Sequence, residues 1–137
     1  EIEIVKSTTS TNVANASPVL SSEDLFKYQN LVRNVPVAEN VIEYAVGFVN
    51  NTRSTNNAQN GPAKNWLEWG AGPRASMYLI LAAKAKALLD GRTTPDISDV
   101  QQMLNPVLRH RIIPNFNAEA DGITRDNILE KLLESTN

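Results

Sequence analysis

A long apolar segment in the middle of the chain, residues 73–90, places the strongest constraint on the fold. It begins at Pro73, which suits the first position of a helix, and ends before Gly91, which suits a C-terminal cap. Apolar residues occur on nearly every side of this segment. A helix of that kind is usually buried between other helices. The segment therefore predicts a buried central helix.

Four further apolar stripes lie before and after that segment. Residues three or four positions apart share one face of a helix, so each stripe predicts a helix with one buried face. The stripes consist of Leu25, Tyr28, Val32 and Val35; of Val37, Val41, Tyr44, Phe48 and Val49; of Val100, Met103, Leu104, Val107 and Leu108; and of Ile128, Leu129, Leu132 and Leu133. No hairpin-like alternation is present, while residues 1–9 fit either the end of a helix or a short strand. The sequence predicts an all-α fold, a small antiparallel bundle of about five helices.

Polar side chains mark the starts of three predicted helices. Ser21 with Asp24, and Ser98 with Gln101, have the spacing of a capping box. Thr124 is expected to cap the last helix.

Prolines and small polar residues mark the predicted breaks. Pro36 is expected to end one helix and open the next, and Pro106 to kink or end its helix. Residues 7–18, 50–64 and 114–122 are rich in small polar residues and are predicted to be loops. The second of these loops is expected to be mobile, and residues 53–64 within it to tolerate deletion.

The composition is that of one modest globular domain. The chain has 137 residues, 42% of them hydrophobic and 20% charged, and a net charge of -2 that gives no reason to expect nucleic-acid binding. It contains no cysteine, which excludes disulfides and thiolate metal sites. No apolar run approaches the roughly 20 residues that span a bilayer. Because the chain starts without Met in the middle of a pattern, we expect it to be a piece of a longer protein.

Residues that support catalysis are nearly absent. The single histidine, His110, lies between two arginines and has no carboxylate close in sequence, so a packing or surface role is favoured over catalysis. Neither of the two glycine-rich phosphate-binding motifs is present. The acidic pairs are Glu23 with Asp24, Asp96 with Asp99, and Glu119 with Asp121. None has the spacing of metal ligands, and helix caps or solvated faces explain them better.

Some exposed or aromatic residues have two interpretations. Arg109 and Arg111 end the fourth stripe, where a cation suits the helix dipole, and a contact with a partner is an equal alternative. Trp66 and Trp69 are predicted to be core anchors.

Arg74 is the candidate ligand-binding residue. It lies in the first turn of the central helix, where a cation opposes the helix dipole by about 0.3–1 kcal/mol. The residues before it, "GAGP", leave the helix start uncrowded, and such a start favours an anion. From the residues alone, contact with an anion and an ordinary surface position are equally favoured.

Several segments, in order and with matching spacing, carry a family resemblance. They are "WGAGPRASMYLILAAKAKALLDGR", "PDISDVQQMLNPVLRHRI" and "EADGITRDNILEKLL", and together they resemble the C-terminal lid domain of MoxR-type AAA+ ATPases. Upstream, "EIEIV" is similar to the helix that leads out of the ATPase core. The segment "PVLSSEDLFKYQNLVRNVPVAENVIEYAVGFVNNTR" resembles the two following lid helices. The resemblance is weakest at residues 7–16 and 53–65. It implies a single lid domain over residues 1–137, with a linker over 1–18 and a bundle over 19–137.

The resemblance implies a role for Arg74. In this family the arginine of a Gly-Ala-Ser-Pro-Arg-Ala segment is the sensor-2 arginine, which reaches from the lid to the γ-phosphate of ATP in the core. The residues that match around Arg74 are Gly70, Ala71, Pro73 and Ala75. The sequence departs from the family at Gly72, where serine is usual, so the side-chain hydrogen bond of the N-cap is lost.

The resemblance also implies properties of a longer parent protein. It would be a cytoplasmic, hexameric, ATP-driven chaperone-like machine whose core holds most of the ATP and Mg²⁺, and this chain alone is expected not to hydrolyse ATP. The implied partners are its own AAA+ core, further copies of itself and von Willebrand factor A domain proteins, with no nucleic acid and no membrane span. Arg109 and Arg111 are candidates for a subunit interface.

Two alternatives remain open from the sequence. One is an autonomous helical protein-interaction (adaptor) domain without nucleotide chemistry, which also needs no phosphate-binding loop. A Walker A segment upstream of residue 1 would discriminate against it. The other is a helical DNA-binding domain that uses "LRHR", against which the net charge of -2 argues.

Overall fold

The computed structural model of the chain describes residues 1–11, 17–53 and 61–136. Within these ranges the regular structure consists of nine helices and two very short strands, which confirms the predicted all-α fold. The helices are α1 (Ile2–Thr8), α2 (Ser22–Asn34), α3 (Glu39–Asn51), α4 (Pro62–Trp66), α5 (Pro73–Leu89), α6 (Ile97–Gln102), α7 (Leu104–Leu108), α8 (Phe116–Ala120) and α9 (Arg125–Glu134). The strands are β1 (Leu67–Trp69) and β2 (Ile113–Pro114), which pair antiparallel. No described helix is both long and apolar enough to cross a membrane.

Short helices account for the difference between the predicted five helices and the observed nine. The helices α1, α4 and α8 have only seven, five and five residues, too few to show a helical stripe. The predicted fourth helix is divided at Met103 into α6 and α7. Pro106 does not cause this break from inside a helix, because it lies in the first turn of α7, where a missing amide removes no intrahelical hydrogen bond. Pro36 follows α2 as predicted, but α3 begins only at Glu39.

The chain divides into two compact units, Glu1–Asn30 and Leu31–Asn137. None of the described residues of the first unit is buried. Leu25 and Tyr28 were predicted to face a core, but they are 51% and 54% exposed. Helical spacing defines a common face but does not supply the layer that covers it. The predicted boundary between residues 18 and 19 stays a prediction.

The second unit contains the hydrophobic core, in which α5 packs against α3, α6 and α7. The buried residues of α5 repeat every four positions, and they are Ala75, Leu79, Ala83 and Ala87. The largest fully buried apolar side chains around this stripe are Phe48, Val49, Val100, Leu108, Ile112 and Ile128. Met77 and Leu89 are 64% and 86% exposed, so the prediction that α5 is buried on all sides was wrong. Ile80 and Ala82 are partly buried beside the four-residue stripe, whereas full burial is confined to that stripe.

Three predicted helix ends are confirmed. The Asp24 amide donates to Ser21 Oγ at 3.1 Å, and the Ser21 amide donates to Asp24 Oδ2 at 3.2 Å. Thr124 caps α9 in a reciprocal capping box with Asn127. Gly91 follows α5 with φ 75°, the left-handed conformation that favours glycine after a helix.

The capping box of α6 lies two residues earlier than predicted. Asp96 and Asp99 form it, rather than Ser98 and Gln101. Asp96 has the extended backbone of an N-cap residue, and its side chain accepts the Asp99 amide at 3.2 Å. Asp99 completes the box, because its side chain accepts the Asp96 amide at 2.8 Å, and it also pairs with Arg92.

The predicted loop over residues 50–64 is shorter than expected. The helix α3 continues to Asn51, and α4 begins at Pro62. Residues 54–60 lie outside the described residues, as do residues 12–16 of the predicted 7–18 connection.

The helix α8 lies in the segment 114–122 that was predicted as a loop, and the β1–β2 pair was not predicted. Asn115 accepts the Ala118 amide at 3.0 Å and starts α8 inside the predicted 114–122 loop. Trp66 packs against the core, but Trp69 is 66% exposed, which corrects its prediction as a core anchor. The register is irregular between Leu67 and Trp69, and such an irregularity turns the second side chain away from the face of the first.

Candidate functional site

Arg74 lies exposed in the first turn of α5. Pro73 occupies the first helical position, and Gly72 is the N-cap residue, with an extended backbone of φ -79° and ψ 173°. The Gly72 carbonyl accepts a hydrogen bond from the Ala75 amide at 2.9 Å and closes the first turn. No side chain caps this helix. The start of α5 is therefore open to an external hydrogen-bond acceptor.

The charges at this helix start are positive. The first turn of α5 contains no acidic residue, and within the described ranges Arg74 forms no ion pair. The unbonded amides at a helix N-terminus carry partial positive charge, so a cation there is unfavourable by about 0.3–1 kcal/mol. An exposed arginine beside these amides favours a bound anion such as a phosphate.

Two side chains at the end of α3 fix the backbone before Arg74. The buried Thr52 hydroxyl donates to the Val49 carbonyl at 2.7 Å and accepts from the Ala71 amide at 2.9 Å. Arg53 Nε donates to the Ala71 carbonyl at 2.9 Å. Both polar backbone groups of Ala71 are thus bonded to consecutive residues that follow α3.

The turn before α5 also packs closely on the end of α3. A Cβ atom added at Gly70 would lie 2.6 Å from the Thr52 carbonyl carbon, well inside van der Waals distance. Ala71 and Ala75, on either side of Arg74, are 0% and 1% exposed. The Arg74 guanidinium is therefore exposed, whereas the backbone on either side of Arg74 is closely packed.

The sequence analysis did not identify Thr52 and Arg53 as part of this site, because it placed them in a polar loop. The position of Thr52 in the sequence nevertheless indicated that it is buried. Thr52 lies four residues after Phe48 and three after Val49, on the buried face of α3. A hydroxyl on that face needs hydrogen-bond partners inside the fold, and the second partner is a residue distant in sequence.

Arg111 contacts the same helix as Arg74. Its guanidinium carbon lies 4.9 Å from the centre of the Tyr78 ring, a cation–π contact. Arg111 also donates to the Val107 carbonyl and lies within hydrogen-bond distance of His110 Nε2. Tyr78 follows Arg74 by four residues, so the two share a face of α5. The structure brings Arg111 to that face.

Arg109 is directed to a different element. Its Nη2 lies 3.4 Å from Asp126 Oδ2 in the first turn of α9, and its side chain is 62% exposed. An ion pair this exposed contributes about 0–1 kcal/mol. His110, between the two arginines, is exposed. The prediction that Arg109 and Arg111 form one subunit interface stays a prediction.

Two of the three acidic pairs, Glu23 with Asp24 and Asp96 with Asp99, serve as caps and ion-pair partners. Asp99 is fully buried and accepts hydrogen bonds from both terminal nitrogens of Arg92, at 2.7 and 2.5 Å, which lowers the pKa of Asp99. The hydrogen bond from the Ser21 hydroxyl lowers the pKa of Asp24. Among the residues that the structure describes, no group of three or more His, Cys, Asp or Glu side chains could hold a metal ion. Arg74 remains the best-placed candidate for a ligand contact.

Comparison with known proteins identifies the family. Residues 63–132, half of the chain, match the model of the AAA lid domain. The chain is 33% identical to Chaperone MoxR1 of Mycobacterium tuberculosis over 120 residues, which are 88% of this chain and 32% of that protein. It is 29% identical to an uncharacterized protein, YeaC, of Bacillus subtilis over 123 residues, which are 90% of this chain and 36% of that protein.

A solved structure agrees with these sequence matches. The crystal structure of a candidate ATPase from Cytophaga hutchinsonii superposes with a TM-score of 0.81 at 27% identity, over 99% of this chain and 42% of that chain. The chain thus spans about a third of the length of the relatives that it matches in sequence. It belongs to the AAA lid domain family, and its identification as a MoxR-type AAA+ lid is confirmed.

Proposed function

We propose that this chain is the lid of an ATP-hydrolysing AAA+ protein and that Arg74 is its sensor-2 arginine. In this proposal the Arg74 guanidinium donates hydrogen bonds to the γ-phosphate of ATP held by the core domain of the same protein. The observation that carries the proposal is an exposed arginine, without an ion pair in the described ranges, at an uncapped helix start on a fixed backbone. A phosphate would supply the negative charge that this position lacks.

The chemistry of phosphoryl transfer fits this placement. Negative charge on the equatorial oxygens of the transferred group has to be stabilised, and arginines can do so from separate rigid bodies. The planar guanidinium offers two parallel donors to one phosphate. Mg²⁺, bound with ATP mainly by the core, would neutralise charge on the phosphates. The 70–73 turn (Gly70, Ala71, Gly72 and Pro73) would hold the Arg74 backbone during the reaction.

The same contact couples the nucleotide to the position of the lid. Arg74 would bind the γ-phosphate before hydrolysis and lose that contact when phosphate leaves, so the closed lid is favoured only in the ATP state. The name of the relative Chaperone MoxR1 supports a chaperone-like role for this motion. A cytoplasmic hexamer that works with von Willebrand factor A domain proteins, and a subunit interface with Arg109 and Arg111, are the parts of the proposal that rest on family resemblance.

The test is ATP turnover by the full-length protein that carries this chain. Arg74→Ala is expected to lower kcat by about 10³-fold, the lower end of the effect of an arginine finger. Arg74→Lys is expected to rescue poorly, because a point charge lacks the planar fork. Arg125→Ala is the matched control, since Arg125 is also exposed in the first turn of a helix, α9. Normal turnover by the Arg74→Ala enzyme would reject the proposal.

Stability gives a second, independent measurement. Because its cation opposes the dipole of α5, Arg74→Ala is expected to leave the free energy of unfolding of the chain unchanged or to raise it by up to about 1 kcal/mol. Denaturant unfolding followed by circular dichroism measures this change. A strongly destabilised Arg74→Ala chain would show a structural role instead.

A further inference from the structure

We infer that Thr52, together with Arg53, is a positioning residue for Arg74, an inference that rests on the proposed role of Arg74. These residues do not reach the ligand themselves. They hold Ala71, the residue three positions before Arg74, through its amide and its carbonyl. These bonds fix the position of the start of α5 relative to the end of α3. The position of the Arg74 backbone therefore depends on both elements.

The Thr52 side chain is suited to this role by its hydroxyl. The hydroxyl is fully buried, and it uses its donor on the Val49 carbonyl and its acceptor on the Ala71 amide. A valine of the same shape would fill the space but leave the Ala71 amide without its partner. A buried amide without a partner reorganises to find one, because an unbonded donor is unfavourable in a dry interior.

Ala71 is the last residue before α5 that the rest of the fold holds. Gly72 follows it, and a Cβ at that position would meet no atom within 4 Å. Glycine has the widest backbone freedom of any residue, and no packed side chain restricts it at this position. On the helix side, Ala75 is buried and fixes the first turn. The backbone of Arg74 is thus restrained on one side by Ala71 and on the other by Ala75. Loss of the Thr52 hydrogen bond would remove the restraint at Ala71.

The first measurement is hydrogen exchange of the Ala71 amide in the folded protein. In Thr52→Val this amide is expected to exchange at least about tenfold faster, whereas Thr52→Ser, which keeps the hydroxyl, is expected to retain its protection. Equal exchange in Thr52→Val and the parent would overturn the inference at its first step, because the hydrogen bond would then not hold the turn.

The second measurement is ATP turnover by the full-length protein that carries this chain. Thr52→Val is expected to lower kcat by about 10–100-fold, as expected for a small displacement of a reacting group, and to change KM for ATP less. Thr52→Ser is expected to restore most of the lost rate. Ile128→Val, a buried substitution in α9 outside this contact, controls for a general loss of stability. If Thr52→Val does not fold, Arg53→Met, which keeps an unbranched side chain but has no donor, removes the other hydrogen bond to Ala71 and is expected to lower kcat as well.

A double-mutant cycle separates positioning from stability. In an Arg74→Ala background, Thr52→Val is expected to change kcat by less than about twofold, because the group that it positions is already absent. Two results would overturn this inference alone. One is that Thr52→Val lowers kcat equally with and without Arg74. The other is that Thr52→Val has normal kcat while the Arg74→Ala enzyme is inactive. An active Arg74→Ala enzyme would overturn the proposed function, and this inference with it.

Discussion

Replacing Gly70 by alanine tests the packing that fixes the turn before α5. An added Cβ atom would lie 2.6 Å from the Thr52 carbonyl carbon and 2.9 Å from the Arg53 amide nitrogen, and closer still to the Thr52 carbonyl oxygen. Ordinary contact begins at 3.4 Å, so the two backbones have to separate by about 1 Å. All three atoms belong to the main chain and cannot move aside by a change of rotamer.

The expected loss of stability has two parts. Overpacking of this kind costs about 1–3 kcal/mol. A separation of about 1 Å also stretches the 2.9 Å hydrogen bond between the Ala71 amide and Thr52 beyond bonding distance, which costs about another 1 kcal/mol. We therefore expect Gly70→Ala to lower the free energy of unfolding by about 2–4 kcal/mol. For a chain of this length that loss corresponds to a Tm lower by roughly 10 °C.

Gly72, two residues later in the same turn, provides the matched control. A Cβ there meets nothing within 4 Å, and its φ of -79° suits any residue. Alanine restricts the unfolded chain, which stabilises by about 0.4–1 kcal/mol, but it is a poorer N-cap than glycine by a similar amount. Gly72→Ala is therefore expected to change stability little. Urea unfolding of both variants measures the difference, and values within about 0.5 kcal/mol of each other would refute this account of the packing.

The remaining predictions concern a buried carboxylate, an N-cap and a capping box. The hydrogen bond from Arg92 lowers the pKa of Asp99 in the folded chain, so the folded state binds fewer protons than the unfolded state; the resulting stabilisation is present above about pH 4 and is lost as the pH falls through the lowered pKa. Asp99→Asn is expected to flatten the fall in stability below about pH 4, measured by urea unfolding across pH, and an unchanged acid slope would contradict this. Gly72→Ser supplies the missing cap and is expected to raise the free energy of unfolding by about 0.5–1 kcal/mol; a loss would show that the position is not an N-cap. Thr124→Ala is expected to lower the free energy of unfolding by about 1 kcal/mol, because the capping box with Asn127 is lost. Thr124→Ser keeps the capping box, and equal stability of the two variants would count against this cap.

The features of the fold that depend on local chemistry were predictable from the sequence. The limits of α5 follow from Pro73 and Gly91, whose backbone preferences act within a few residues. The Thr124 cap and the buried positions of α9 follow in the same way. The location of Arg74 in the first turn of α5 is part of this local pattern, although its role stays a prediction.

The features that depend on contacts between distant residues were not predictable. Thr52 meets Ala71 across 19 positions, and no spacing in the sequence indicates that contact. The exposure of Leu25 and Trp69 has a similar origin, because it depends on which layers surround each apolar side chain and on the register of β1. Residue type alone predicts neither the surrounding layers nor the register of β1.

The first turns of the longer helices argue for an external anion at Arg74. In the part of the chain that the structure describes, α2, α3, α5 and α9 have ten or more residues. The helices α2, α3 and α9 each have an acidic residue in the first turn, which offsets the partial positive charge of the free amides. Even Arg125, at the start of α9, is followed directly by Asp126. The helix α5 has no such acid, and its first turn has Arg74 instead. The close packing at Gly70 and the buried Thr52 fix the backbone before Arg74, and a fixed cation without a compensating acid is the arrangement that the proposed phosphate contact would use.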